Sequence, residues 1–314
     1  MESSLISFVC PVYNREAMVA ESIRPLFESK LESFEFIFVD DCSSDGSVAE
    51  CERLAKDHES TVKVISLEEN KGAPHARNVG RSAAKGEFIV FVDSDDVPIP
   101  DGYEDLRTAL LDDTSLDFTF GNVIETDADC IPLSPQRSVG GAFDDSPREI
   151  AGYHWHTMGA IYRTSFLQRL GDWNCDLTGS QDWEFQARAK IASQHSLYVP
   201  TEVGLWRHHD GQRVGATSFR PDYVRSLMKA SSTILQNARH GQKSDVHLES
   251  RLAKKLALHA LEWGAHGYHT ERQECFDLAL SFLSTQTALA RVITLAKLAP
   301  SFADGLLWKQ LIRT

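Results

Sequence analysis

The run Asp93-Ser94-Asp95-Asp96 places two carboxylates two residues apart directly after the apolar segment Phe88–Val92. Hard divalent cations take oxygen ligands, and substrate phosphates commonly complete their shell, so this spacing suits a metal beside a nucleotide's ribose and phosphates. Three earlier polar clusters could serve the same ligand: Pro11-Val12-Tyr13-Asn14, Asp40-Asp41-Cys42-Ser43-Ser44-Asp45-Gly46, and Asn70-Lys71-Gly72 leading into Ala76-Arg77-Asn78. The Arg77 guanidinium can fork two donors onto phosphate or base oxygens, which Lys71 cannot match in geometry. Each feature also has a plainer reading. Asp-rich turns often start helices, Arg77 can be a structural ion pair, and Lys71 can be simply solvated.

Such clusters need elements that bring them together. Leu5–Val9, Phe36–Val39, Val62–Ser66 and Phe88–Val92 are short runs largely continuous in hydrophobicity, as expected of strands covered on both faces. Arg15–Ser29, Ser47–His58 and Ala73–Ala84 read as helices between them, the second started by the capping-box spacing of Ser47 and Glu50. Alternation of this kind predicts an α/β domain with a mostly parallel, Rossmann-like sheet. In such sheets ligands bind at the carboxyl ends of the strands, where the polar clusters fall. A helix around Asp101–Leu111, a strand at Leu116–Phe120, a long loop over 125–150 of the kind used as a substrate lid, a strand at Met158–Tyr162 and a helix at Gln181–Ala192 follow. Leu248, Leu252, Leu256, Ala260 and Trp263 recur at helical spacing, so residues 216–314 are expected to form a helical C-terminal region after a catalytic domain over 1–215.

The order and spacing of these motifs resemble glycosyltransferase family 2, the inverting enzymes of the GT-A fold. The resemblance spans about residues 5–215 and rests on P-x-Y-N, D-D-x-S-x-D, N-x-G-x-x-x-A-R-N-x-G and D-x-D, each after an apolar strand. It implies that Asp95 binds manganese or magnesium, with Asp93 on the ribose or the metal shell and Ser94 and Asp96 beside them. It also implies that Asp41 or its neighbour Asp40 accepts hydrogen bonds from the nucleobase. Pro11 would shape that turn, and Tyr13 could lay its aromatic face on the base. Gly179-Ser180-Gln181-Asp182-Trp183-Glu184 resembles the family's E-D-W segment, with Gln181 in place of the usual Glu. The implied role of Asp182 is catalytic base toward an acceptor hydroxyl; its plainer role is to favour a helix N-terminus. Trp206-Arg207-His208-His209-Asp210 resembles the R-x-H segment, with Arg207 on phosphate and His209, or else His208, on the metal. Met158–Arg163 matches a segment that lines the sugar pocket. UDP is the donor nucleotide that the resemblance favours, and a carbohydrate or lipid-linked glycan of a bacterial surface polysaccharide is the acceptor class. The chain lacks a Q-x-x-R-W motif, so non-processive transfer is expected.

Bulk properties narrow the alternatives. The formal net charge is −13, which argues against a nucleic-acid partner. No apolar run approaches the roughly 20 residues of a spanning helix, and the N-terminus shows no basic n-region, so a cytoplasmic location is expected. Cys10, Cys42, Cys51, Cys130, Cys175 and Cys275 show no CxxC pair, as expected of free thiols. A nucleotidyltransferase would want a Gly-rich basic loop where Pro11-Val12-Tyr13-Asn14 stands, and a non-catalytic nucleotide-binding scaffold would be expected to have lost Asp41, Asp93, Asp95 or Asp182. Residues 286–314 set Arg291, Lys297, Lys309 and Arg313 against Asp304 among apolar residues and Trp308. That tail could touch the anionic inner face of the plasma membrane, or pack on the domain or on a second subunit as a homodimer.

Overall fold

The structure is a computed structural model, and it describes residues 4–58, 61–134, 138–143, 146–209, 220–284 and 287–298. The described chain forms two compact units. The first comprises Met1–Phe143, Tyr153–Cys175 and Ser193–Gly211; the second comprises Asp144–Gly152, Asp176–Ala192 and Gln212–Thr314.

The first unit is built on one mixed sheet. In chain order it contains β1 (Ile6–Val12), α1 (Val19–Glu28), β2 (Phe34–Asp40), α2 (Ser47–Asp57), β3 (Val62–Ser66), α3 (Ala73–Ala83) and β4 (Phe88–Phe91). It continues with β5 (Val97–Pro98), α4 (Pro100–Asp112), β6 (Phe118–Thr126), β7 (Ser138–Val139), β8 (Ala160–Arg163), α6 (Thr164–Leu170) and β9 (Ser196–Arg207). The intervening α5 (Pro147–Ile150) and α7 (Gln181–Ala192) belong to the second unit. The strand order is β3-β2-β1-β4-β8-β6-β9-β5, with β7 paired to β6. β3, β2, β1 and β4 are parallel, as their largely apolar sequences suggest, and every residue of β1 is buried. β8 runs antiparallel between β4 and β6, and β9 lies parallel to β6. Pro11 is tolerated in this central strand because β4 pairs only with Ile6–Val9, so no ladder bond to β4 is due at position 11.

Close approach of α3 to the sheet fixes one glycine. A Cβ on Gly80 would stand 2.3 Å from Val9 Cγ1, so the helix rests on β1 with bare backbone. On one face of the sheet Phe8, Phe36, Tyr103, Val90 and Ile161 form a buried core, with the Phe8 ring edge-on to Tyr103 at 5.1 Å.

Several expected elements differ. α1 begins at Val19 instead of Arg15, and β6 extends to Thr126. The stretch expected as a loop over 125–150 therefore starts inside a strand, and it also holds β7 and α5. A 3₁₀ turn at Thr157–Gly159 replaces the start of the strand expected at Met158. The capping box at α2 does not form. Ser47 Oγ instead donates to Asp45 and accepts the Arg15 N–H at 2.6 Å, while Glu50 pairs with Arg53. β9 was not expected at all. Pro200 and its irregular burial hide it from any simple alternation.

The second unit is helical. α8 (Pro221–His240), α9 (Val246–Ala265), α10 (His269–Ser281) and α11 (Ala288–Leu298) join α5 and α7 around Trp183, Leu227, Ile234, Leu252, Leu256 and Trp263. The helical repeat read from Leu248 to Trp263 is the buried face of α9, whose N-terminus is capped by Asp245 accepting from the His247 and Leu248 N–H groups. Lys190 on α7 is buried and donates to the Glu149 and Gly152 carbonyls at 2.7 and 2.6 Å. Arg291 and Lys297 lie on α11, and Lys297 pairs with Asp277. Asp304, Trp308, Lys309 and Arg313 lie outside the described residues, as does Asp210. No helix among the described residues is long and apolar enough to cross a membrane.

Candidate active site

The turns after the parallel strands are stitched to one another by side chains. Asn14, held at φ 52°, donates its backbone N–H to Ser43 Oγ and accepts the Ser44 N–H, both at 2.9 Å. Asp40 accepts the Ser43 N–H at 3.0 Å. The buried Asp41 carboxylate receives the Lys71 N–H on one oxygen and the Gly72 N–H on the other, each at 2.8 Å. Gly72 has φ +86°, a conformation that side chains disfavour, and this lets the turn fold back onto Asp41. Each Asp41 oxygen retains a second acceptor position for a ligand. Tyr13 is 41% exposed beside these turns, and the Lys71 ammonium is exposed with Glu69 at 3.5 Å.

The carboxylates after β4 diverge onto different partners. Asp93 accepts from Arg77 Nη2 at 2.6 Å. Arg77 is buried, with its guanidinium 4.6 Å from the Trp173 ring centroid. Trp173 is in turn held by Asn78, whose amide bonds both its carbonyl and its N–H. Asp95 Oδ2 meets His209 Nε2 at 3.0 Å and Arg15 Nη2 at 3.3 Å. Burial alone would raise the Asp95 carboxyl, but the His209 hydrogen bond and the Arg15 charge outweigh it and hold it below the usual carboxylate value. Ser94 is buried between them. Asp96 accepts the Arg207 backbone N–H at 3.0 Å, and its other oxygen lies 3.8 Å from His156 Nε2.

β9 explains why residues so far apart in sequence meet. Its end pairs antiparallel with β5, the short strand that follows Asp96, so Arg207 and His209 arrive beside the fourth turn. Arg207 is buried, with Nη1 3.5 Å from Glu21, while its Nε and Nη2 have no hydrogen-bond partner among the described residues. His208 turns the other way, 3.4 Å from Glu125. Ligand atoms of Asp93, Asp96 and His156 lie within 4.8 Å of one another. The converging carboxylates match the oxygen preference of magnesium and manganese, with the imidazole as a further ligand atom. Arg15, His156 and Trp173 are the members that sequence reasoning missed. None belongs to a spaced motif, and each joins only through the fold.

Asp182 lies in the first turn of α7, in the helical unit, after Ser180 at φ +55°. It accepts the Trp183 N–H at 2.8 Å, and the Trp183 indole N–H is held by the Ala151 carbonyl at 2.9 Å. The Lys255 ammonium sits 4.4 Å from the Trp183 ring centroid, and burial lowers its pKa against the opposing pull of Asp182. Met158, Ile161 and Tyr162, within the segment expected to line a sugar pocket, are buried in the first unit's core, with the Tyr162 hydroxyl accepting from Trp155.

Residues 7–171 match the family model described as glycosyl transferase family 2. The chain belongs to glycosyl transferase family 2. Among its relatives, a putative glycosyltransferase, EpsH of Bacillus subtilis, is 30% identical over 67% of this chain and 62% of its own length. WfgD of Escherichia coli, described as a UDP-Glc:alpha-D-GlcNAc-diphosphoundecaprenol beta-1,3-glucosyltransferase, is 31% identical over 39% of this chain and 47% of its own. The chain thus spans less than two thirds of these family 2 relatives. A crystal structure of S. aureus TarS 1-349 in complex with UDP-GlcNAc superposes with a TM-score of 0.70 at 19% identity, covering 98% of this chain and 91% of that one. That likeness establishes the GT-A fold of the family 2 unit.

Proposed function

We propose that this family 2 chain is a metal-assisted, inverting glycosyltransferase. It moves a sugar from a nucleoside diphosphate sugar, UDP-linked by preference, to a hydroxyl of a surface-glycan acceptor. The observation that carries the reading is the meeting of Asp95 with His209, 114 residues away, beside the Arg77–Asp93 pair. Both groups are metal ligands by chemistry, and they converge where parallel strands present their carboxyl ends. Asp95 and His209 would hold the metal, with Asp93, Asp96 and Ser94 beside them. When bound, manganese or magnesium supplies charge to stabilise the departing diphosphate, so no protonating acid is needed there. Asp41 accepts from the nucleobase, and Tyr13 lies against it beside the Pro11 turn. Arg207 offers its Nε and Nη2 donors to phosphate, with Lys71 adding charge at the rim. Asp182 takes the proton from the acceptor hydroxyl as that oxygen attacks the anomeric carbon opposite the nucleotide. The UDP named for WfgD and for the TarS complex, and the lipid-linked glycan named for WfgD, support the donor and acceptor classes. Peripheral contact with the inner membrane face fits such an acceptor.

Calorimetric titration of UDP, GDP and dTDP, with and without manganese, on wild type and Asp95→Ala tests the donor half. The expected result is binding of one diphosphate that needs both manganese and Asp95. Metal-independent or absent binding would sink it.

A further inference from the structure

Asp95 Oδ2 receives two donors at once, and the second does not belong to the family motifs. Arg15 Nη2 reaches it at 3.3 Å, with the two side chains only 16% and 17% exposed. This arginine is not a loosely tethered surface cation. Its Nη1 donates to the Asn14 carbonyl at 3.0 Å and the Tyr13 carbonyl at 3.4 Å, and its backbone N–H is anchored on Ser47 Oγ. A fixed guanidinium therefore occupies one of the two Asp95 oxygens that a divalent cation could take.

The two cations compete for that oxygen, so a metal that takes it displaces Arg15. A guanidinium displaced at this place has an obvious acceptor, because its planar fork matches the oxygens of a diphosphate. The neighbouring guanidinium of Arg77 is engaged by Asp93 and by the face of Trp173. Resting on the donor-site reading above, we propose that Arg15 holds Asp95 as a placeholder for the metal and then passes to the diphosphate of the arriving donor. It is thereby a donor-binding residue with opposite effects on the two ligands.

The test measures both ligands on wild type, Arg15→Met and Arg15→Lys. Manganese alone is followed by loss of the free-ion electron paramagnetic resonance signal; UDP and UMP are titrated calorimetrically at saturating manganese. Arg15→Met should bind manganese alone about threefold to fivefold more tightly, the scale of one lost partly exposed ion pair. It should bind UDP about tenfold more weakly, the scale of one charged hydrogen bond, with UMP binding unchanged. Arg15→Lys, which keeps the charge without the fork, should fall between. Weaker binding of both manganese and UDP would reduce Arg15 to a scaffold of its turn and overturn the proposal. Unchanged UDP binding would overturn it equally, by removing the diphosphate contact. If Arg15→Met does not fold, Arg15→Gln, polar but uncharged, carries the same comparison. A wild type that binds neither manganese nor any nucleoside diphosphate would instead overturn the donor site itself, and this proposal with it.

Discussion

In the sheet-bearing unit, three carboxylates after the strands meet donors from distant sequence: Asp41 with Lys71 and Gly72, Asp93 with Arg77, Asp95 with His209 and Arg15. In the helical unit, Asp182 accepts only the N–H of its own neighbour among the described residues, and Lys190 and Lys255 lie against carbonyls and an indole. Fixed, mutually neutralised charges suit a binding site, whose polar groups must be oriented before the ligand arrives. An under-committed carboxylate suits a proton acceptor, whose lone pairs must stay open to a hydroxyl.

The largest expected effect separates the two units. Asp182→Asn should lower sugar transfer by about a thousandfold, within the span general bases contribute, while manganese-dependent UDP binding stays near wild type. Comparable losses in both assays would erase the distinction. Asp95→Ala should do the reverse at the level of binding, weakening manganese-dependent UDP affinity by about a hundredfold, and calorimetry at fixed manganese reads this directly. A smaller effect tests the support behind the donor site. Asn78→Ala removes both hydrogen bonds to the Trp173 backbone and should cost about 2 kcal/mol in urea unfolding. An unchanged midpoint would show that Trp173 is held by packing alone.

Another test, read per pH unit, belongs to the helical unit. Burial pushes the Lys190 ammonium down to about 7 from 10.5, with Glu149 opposing and Arg251 assisting. Between those values the unfolded chain keeps a proton that the folded chain has released, so stability should rise with pH. Wild type should gain on Lys190→Met above pH 7 by at most about 1.4 kcal/mol per pH unit. A flat difference would show that the two carbonyls keep the ammonium charged.

Much of the first unit could be read from sequence because its signals are local. Site motifs follow runs of buried residues at Phe36–Asp40 and Phe88–Phe91, and a parallel sheet brings such turns together. β9 escaped because its buried positions follow no period of two and Pro200 stands within the strand. Without β9, nothing in the sequence says that His209 faces Asp95 while His208 faces Glu125. Ser47 shows a local rule losing to tertiary demand, since its hydroxyl serves Arg15 and Asp45 instead of the helix end. Arg15 and His156 are single residues whose meaning is set entirely by their neighbours in space.

The bare contact of Gly80 with Val9 has a consequence for how this chain can diverge. Position 80 lies three residues beyond Arg77 on the same helix face, so a methyl there would tip α3 and withdraw the guanidinium from Asp93. Shortening Val9 to alanine or glycine is the direct way to make room. Positions 9 and 80 should therefore be inherited as a matched pair, each recording the size of the other.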